Sequence, residues 1–388
     1  MVNAELVIGA NYGDEGKGLF TEFLSKTCHN PIVVLANGGS QRGHTVNDPV
    51  LGKHVFHHFG SGTLAGRPTF FAGSFLLNPM QFAKEHAELT KMLGHAPVSF
   101  RAKNCYIQFP FDIALNWHVE KCRGERKHGS VGCGIWETTN RVKYWSGKDH
   151  DITFERFVGL SYEDKLTCIK DLGARYIVSR CDELGITKKV DLLDIFMAQG
   201  FLDHFIADTM FMAKECQIMT TAELGTYSTL IFENGQGLML DQFYGCQDLA
   251  NTTPSYTGSI AIAQMLQNSD LELGKVHCHY ISRTYLTKHG AGTFKEEVPG
   301  MKFEDKTNVF NEWQDAMRFG ELDLGELKAR VDKDFGFFKK FCSAQVTKNM
   351  VFTHANEVVI DLEKLDVGDY VSQTDRADGF MCKASKLS

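Results

Sequence analysis

Val7-Ile8-Gly9-Ala10-Asn11-Tyr12-Gly13-Asp14-Glu15-Gly16-Lys17-Gly18-Leu19-Phe20 sets a strand-like apolar run against a loop of glycines, one lysine and two carboxylates. Glycine lets the backbone turn tightly and approach a ligand, leaving amide N–H groups free to point at phosphate oxygens. Lys17 adds a positive charge, and the run from Leu19 to Lys26 reads as a helix whose N-terminus favours an anion. Asp14 is the unusual member. A carboxylate beside a phosphate either holds a cation or does proton chemistry, because otherwise it repels the ligand. The spacing departs from the nucleotide-hydrolase loop, which needs Gly, four residues, then Gly-Lys-Ser/Thr. Position 11 is Asn where that motif wants Gly, and position 18 is Gly where it wants a hydroxyl.

Outward from this loop, Glu5–Gly9 and Pro31–Ala36 read as buried strands, a spacing that suits a parallel crossover. Thr69–Ala72, Leu230–Glu233, His277–Ile281 and Met350–Thr353 are further strand candidates. Helical spacing runs through Pro79–Leu93, Asp191–Ala198, Phe201–Ala213 and Ser259–Asn268. Glycine-rich loops follow strands repeatedly, the way an open sheet places ligands at its C-terminal edge. The expected fold is α/β, with a central, mostly parallel sheet and a P-loop-like nucleotide site. Residues 1–388 read as a single domain with a mainly helical insertion around residues 150–225.

The hydrophobic share of 43% and charged share of 23% are ordinary for a globular protein. A net charge of −7 gives no reason to expect nucleic acid as a partner, so a phosphate ligand must be held by local basic groups and amides. Eleven cysteines are scattered without a CxxC pair, which suits reduced thiols in a cytoplasmic protein. His277, Cys278 and His279 cannot easily close around one ion, because neighbours on a strand point to opposite faces. The N-terminus carries no basic-then-apolar signal pattern, and no apolar run is long enough to span a membrane.

Four more motifs follow the first: Asn37-Gly38-Gly39-Ser40-Gln41-Arg42-Gly43-His44-Thr45, Gly129-Ser130-Val131-Gly132-Cys133-Gly134-Ile135, Phe232-Glu233-Asn234-Gly235-Gln236-Gly237-Leu238-Met239-Leu240-Asp241 and Thr287-Lys288-His289-Gly290-Ala291-Gly292-Thr293-Phe294. In this order they resemble adenylosuccinate synthetase, the family that joins aspartate to IMP at the expense of GTP. The resemblance implies that Asp14 is the general base at purine N1, His44 the general acid at the 6-oxygen, and Lys17 the phosphoryl clamp. It places Mg²⁺ at Asp14 and the carbonyl of Gly43. Nucleotide and phosphate contacts would come from Gly13, Glu15, Gly16, Gly18, Gln41, Ser130, Gln236, Asn251, Thr252 and Asn356. Thr287 and Arg318 would meet the amino acid, and Arg141 lies near the family arginine that reaches into a partner subunit. The implied partners are a purine monophosphate, ATP or GTP, aspartate and a second copy of the chain. The chemistry suits these residue types, since phosphorylating a 6-oxo group needs a base at one end and a proton donor at the other. Lysine and metal then neutralise the phosphoryl group in flight.

The sequence also departs from the family pattern. The family's Asn-Ala is Gln41-Arg42 here, with Arg42 set either to add phosphate contacts or to narrow the site. Val131 and Cys133 replace a threonine and an arginine. In the amino-acid loop, Asp315 and Met317 stand where the family grips carboxylates, and an acid and a thioether cannot make a bidentate clamp. Arg318 keeps one arginine there. The family's guanine-reading Thr-Lys-x-Asp is Thr353-His354-Ala355-Asn356, and asparagine favours ATP or a relaxed donor because it can accept from adenine N6 and donate to N1. Only fifteen residues separate Asn356 from Ser372, so the chain is trimmed. Trimming resembles the viral branch that uses dGMP to make N6-succino-2-aminodeoxyadenylate, although Asp14 is retained here. The leading reading is an NTP-dependent ligase acting on IMP and aspartate. The dGMP-using synthetase and a catalytically retired nucleotide-binding homologue are the alternatives, with a simple NTPase or kinase disfavoured by the loop spacing.

Overall fold

The computed structural model describes residues 1–124, 129–147, 151–241, 243, 258–290, 292–303, 316–359, 361, 366 and 369–382. The chain opens with β1 (Val2–Gly9), α1 (Lys17–Thr27) and β2 (Pro31–Leu35), followed by a hairpin of β3 (His44–Asp48) and β4 (Gly52–Phe56). Next come β5 (Thr69–Phe71), α2 (Pro79–Leu93) and β6 (Ser99–Arg101). Helices α3 (Pro110–Arg123), α4 (Ile135–Trp145), α5 (Phe154–Val158), α6 (Tyr162–Leu184), α7 (Leu193–Phe196) and α8 (Gln199–Glu215) precede β7 (Cys216–Ile218). The remainder is β8 (Thr229–Gly237), α9 (Ser259–Gln267), β9 (Leu273–Arg283), β10 (Leu286–Lys288), β11 (Arg318–Gly320), α10 (Leu324–Phe341), β12 (Gln345–Thr353), β13 (Tyr370–Ser372) and β14 (Phe380–Cys382).

Ten strands form one sheet in the order β14-β13-β12-β9-β1-β8-β2-β5-β6-β7. Every pairing in it is parallel except β13 with β14. β1 and β2 read as near-continuous apolar runs because helices and loops cover both faces of a parallel sheet. Parallel direction also puts the C-terminal ends of β1, β2, β8, β9 and β12 on one edge. The glycine-rich loops leave the sheet there, which is where an open α/β sheet binds ligands.

Local chemistry explains the element ends. Asn78 caps α2 by accepting from the Gln81 amide at 3.1 Å, Pro79 opens the helix, and Gly94 closes it at φ 76°. Helices occupy the connection from α3 to α8, and β7 then returns to the sheet edge beside β6. The helical stretch thus starts ahead of residue 150, and the three-residue β7 lies within the range to 225. A strand that short carries too few residues for an alternating pattern. The same reason hides β6 in the sequence. His44, expected in a loop, is the first residue of β3. The His277-Cys278-His279 trio behaves as alternation requires: His279 pairs with Glu5 at 2.6 Å while His277 meets Thr347 at 2.5 Å. Cys278 is buried in the hydrophobic core.

One buried segment connects core and site. The Glu85 carboxylate accepts from the amides of His57, His58 and Phe59 at 3.0, 2.7 and 3.1 Å. His58 lies fully buried against the rings of Phe71, Phe75 and Phe82, and its Nε2 accepts from the Asn78 amide at 3.1 Å. Burial, with Arg42 nearby, pushes its pKa down to about 3. The folded protein therefore keeps His58 neutral while the unfolded chain takes up a proton below about pH 6.5, so stability is lost as pH falls from about 6.5 toward 3. Urea unfolding at pH 7 and 4.5 should show a contribution of about 2–3 kcal/mol from this group. His58→Gln, which keeps an acceptor for Asn78, should cost stability at pH 7 and narrow its deficit at pH 4.5. A constant deficit across that range would refute the assignment.

Candidate active site

The loop after β1 is held in conformations that its sequence anticipates. Gly13 and Gly16 have φ of 98° and 91°, and Asp14, with φ 56°, shares the left-handed region that side chains rarely adopt. A Cβ on Gly237 would lie 2.1 Å from the Asn11 carbonyl oxygen, so the end of β8 touches the loop backbone. Side chains from neighbouring strands pin its carbonyls. Arg283 donates to Asp14 O at 2.6 Å, Thr353 to Glu15 O at 2.9 Å, and Thr287 to Gly13 O at 3.3 Å. Arg330 from α10 donates to Ala10 O at 2.8 Å and to Asn11 Oδ1 at 2.5 Å.

Glu15 turns inward. Its carboxylate is buried, accepts from the Asn11 amide, and lies 3.8 Å from Lys17 Nζ. Burial raises its pKa, with Lys17 and the Asn11 amide pulling the other way. The Glu15 side chain thus orders the loop backbone and offsets Lys17. Asp14 keeps its side chain a quarter exposed and places Oδ2 3.4 Å from His289 Nε2.

The second loop delivers His44 to the same place. A Cβ on Gly18, in the first turn of α1, would lie 2.9 Å from His44 Cβ. His44 Nδ1 lies 2.7 Å from Glu233 Oε1 on β8, and its Nε2 is buried without a hydrogen-bond partner. Glu233 also accepts from the Ser61 amide at 3.0 Å and from the Ser61 hydroxyl, and lies 3.7 Å from Arg42. Burial would raise the Glu233 pKa, but His44, Arg42 and these hydrogen bonds outweigh it and hold it down at about 2. His44 is pushed to about 4 by burial, against the pull of Glu233. An ionised Glu233 thus fixes the proton on Nδ1 and leaves the buried Nε2 as the unprotonated nitrogen. The Arg42 guanidinium is buried, donates to Phe59 O at 2.8 Å and sits beside Phe75.

The remaining positions surround these two loops. Gln41 folds back and accepts from the Gly39 amide at 2.7 Å. A Cβ on Gly39 would lie 2.7 Å from Ile135 Cδ1, so the loop carrying Ser130 packs against the loop carrying His44. Asn116 supports that third loop by donating to Ser130 Oγ at 3.3 Å and accepting from the Gly134 amide at 3.0 Å. Gln236, at the end of β8, has a buried Oε1 without a partner, an acceptor set for a ligand.

The adenylosuccinate synthetase family profile matches residues 6–374. The chain belongs to the adenylosuccinate synthetase family. It is 26% identical over 299 residues to the synthetase of Tropheryma whipplei strain Twist, a match covering 76% of this chain and 65% of that protein. Over 369 residues it is 23% identical to the synthetase of Lactiplantibacillus plantarum, covering 92% of this chain and 77% of that one. The fold is similar to the fully ligated adenylosuccinate synthetase of Plasmodium falciparum, with a TM-score of 0.65 and 18% identity over 92% of this chain and 77% of that one. It is also similar to the cyanophage S-2L succinoaminodeoxyadenylate synthetase bound to dGMP and dATP, with a TM-score of 0.63 and 13% identity over 99% of this chain and 96% of that one.

Among the positions that adenylosuccinate synthetase motifs pointed to, Gly13, Asp14, Gly16, Lys17, Gly18, His44 and Gln236 converge at the C-terminal edge of β1, β2 and β8. Gly43 is exposed, and a Cβ there would meet Val55 Cγ1 at 4.0 Å. Thr287 meets the loop through Gly13 O. Arg318 is held by Glu297, with Nε 3.1 Å from both carboxylate oxygens, and donates to Gly292 O at 3.0 Å. Asn356 is exposed past the end of β12. Asn251 and Thr252 lie outside the described residues. Arg141 does not reach outward: it is buried against Asp112 at 2.9 Å and donates to Ile107 O at 2.7 Å. Glu233 sat in a recognised motif, yet its partnership with His44 spans 189 residues and no spacing rule reports it. Ser61 and Arg283 gave no signal in the sequence at all.

Removing one member of the Glu233 network separates its parts. Ser61→Ala should destabilise by about 1 kcal/mol, the worth of one hydrogen bond. Glu233→Gln leaves Arg42 buried without its counter-charge and should cost about 3–5 kcal/mol. Chemical unfolding of both variants measures this; equal losses would mean that Arg42 does not depend on Glu233.

Proposed function

We propose that this protein is an NTP-dependent ligase that phosphorylates the 6-oxo group of a purine monophosphate and replaces the phosphate with the amine of an amino acid. IMP and aspartate are the leading substrates, giving adenylosuccinate, NDP and phosphate. The observation that carries the reading is that the first turn of α1, which follows the loop of Asp14, packs at Gly18 directly against His44. Asp14 is a carboxylate open to solvent; His44 is an imidazole with an unclaimed, buried Nε2. Asp14 takes the N1 proton, which drives electron density to the 6-oxygen as that oxygen attacks the phosphoryl group. His44, neutral in the free protein, gains a proton on Nε2 as phosphate charge enters beside it, and then donates it to the leaving oxygen. Lys17 and the loop amides stabilise the phosphoryl oxygens. Gln236 holds the purine edge.

Mg²⁺ fits this site. Among the described residues no group of three or more His, Cys, Asp or Glu side chains could hold a metal ion. A hard cation that keeps few protein ligands and takes the rest from phosphates suits the Asp14 carboxylate and the Gly43 carbonyl. Bound there, it would neutralise charge on the phosphate oxygens. The family expectation of a cytoplasmic homodimer completes the reading; no described helix is long and apolar enough to cross a membrane.

A second reading is a dGMP user of the viral type. It is supported by length, since the cyanophage synthetase matches almost end to end while the chain spans about two-thirds of several bacterial relatives. Retained Asp14 favours IMP. The amine donor is the least constrained substrate, because Glu297 already occupies Arg318.

Crossing IMP, GMP and dGMP with ATP, GTP and a panel of amino acids, with products identified by mass, tests the reading. A condensed product is expected with IMP and aspartate; nucleotide binding with no condensed product anywhere would sink the ligase assignment. Asp14→Ala should abolish turnover without unfolding the protein, and retained activity would remove Asp14 as the base. Asn356→Asp should shift donor preference toward GTP by about tenfold or more in kcat/KM, since an aspartate accepts from guanine and meets adenine with an unpaired acceptor. An unchanged ATP/GTP ratio would place base reading elsewhere.

A further inference from the structure

His289 follows β10 and sets its Nε2 3.4 Å from Asp14 Oδ2. Fixed contacts on both sides make this placement a built one. Lys288 Nζ donates to the carbonyls of His289 and Gly290, each at 3.3 Å, and Arg318 donates to Gly290 O at 3.4 Å and Gly292 O at 3.0 Å. On the opposite side, Arg283 holds the Asp14 carbonyl at 2.6 Å and Thr287 holds that of Gly13 at 3.3 Å. Tyr12 of the same loop packs edge-on against Phe294, tying the loop to the segment beyond His289. Two backbones are thus clamped together, and an imidazole 13% exposed meets a carboxylate 25% exposed between them.

A base in that position needs orienting. Asp14 stands on a left-handed backbone in a partly open cleft, and misplacing a reacting group by a fraction of its reach costs rate. The Nε2–H of a neutral imidazole can donate to Oδ2 and leave Oδ1 for a substrate proton, with no net charge required. Catalytic contacts of this length in a ligand-free site tighten when substrate closes it.

We propose that His289 is a positioning residue, which through Nε2 turns the Asp14 carboxylate toward the N1–H edge of a 6-oxopurine monophosphate. This rests on the reading of Asp14 as the base. Its effect therefore falls on the chemical step and passes through Asp14 alone.

The test compares the wild type with His289→Val, His289→Gln, His289→Asn, Asp14→Ala and the Asp14→Ala/His289→Val double variant. His289→Val should lower kcat about 10- to 100-fold, as loss of an orienting partner does elsewhere, with KM for the monophosphate changed by less than about threefold. His289→Gln, whose amide nitrogen reaches the Nε2 position, should recover most of the loss, whereas the shorter His289→Asn should not. In the Asp14→Ala background, His289→Val should add nothing. Wild-type kcat in His289→Val, or a loss that persists without Asp14, overturns the positioning role. Full turnover in Asp14→Ala instead removes the base reading itself. Urea midpoints of the two single variants and the double variant read the contact without turnover: non-additive midpoints support it, and strictly additive ones overturn it.

Discussion

Glu233 is a carboxylate with no exposure to solvent, and burying it is possible only because two other segments, one with Arg42 and His44 and one with Ser61, come to meet it. Its charge is matched by Arg42 at 3.7 Å, its oxygens accept from the amide and hydroxyl of Ser61, and His44 binds it at 2.7 Å. An isolated carboxylate in that position would cost several kcal/mol, which these partners together offset. The geometry of the cleft follows from this one requirement. Arg42 must stay inside, which fixes the turn before β3. His44 must present Nδ1 to Glu233, which leaves Nε2 buried without a hydrogen-bond partner.

Close backbone approach is the second constraint. The end of β8 comes against Asn11 and Gly13, the first turn of α1 comes against His44, and the loop of Ser130 comes against Gly39. Each of these contacts leaves no room for a Cβ, so each needs glycine on one side. The glycine-rich motifs therefore serve two ends. They let the backbone turn through left-handed conformations and let loops from distant parts of the chain pack closely together. Arg283, Thr287, Thr353 and Arg330 then fix the carbonyls that remain.

The electrostatic character of the site is set by what is neutralised before a ligand arrives. Lys17 has Glu15 beside it, Arg42 has Glu233, and Arg318 has Glu297. The first two pairs are buried and the third is partly exposed, so only the third can exchange its carboxylate for a substrate's at low cost.

The sequence by itself determined the parallel sheet, the position of α1 and α2, and the loops that carry phosphate chemistry, because apolar runs, caps and glycines act within a few residues. Motifs read in order also pointed to the family, whose profile matches residues 6–374. Only the tertiary structure decided where each charge points. It turned Glu15 and Arg42 inward, sealed Arg141 against Asp112, joined His44 to Glu233 across 189 residues, and brought His289 to Asp14. Burial is the physical reason: a charged side chain goes where a counter-charge awaits it, and that partner is set by which strands become neighbours, which local sequence does not encode.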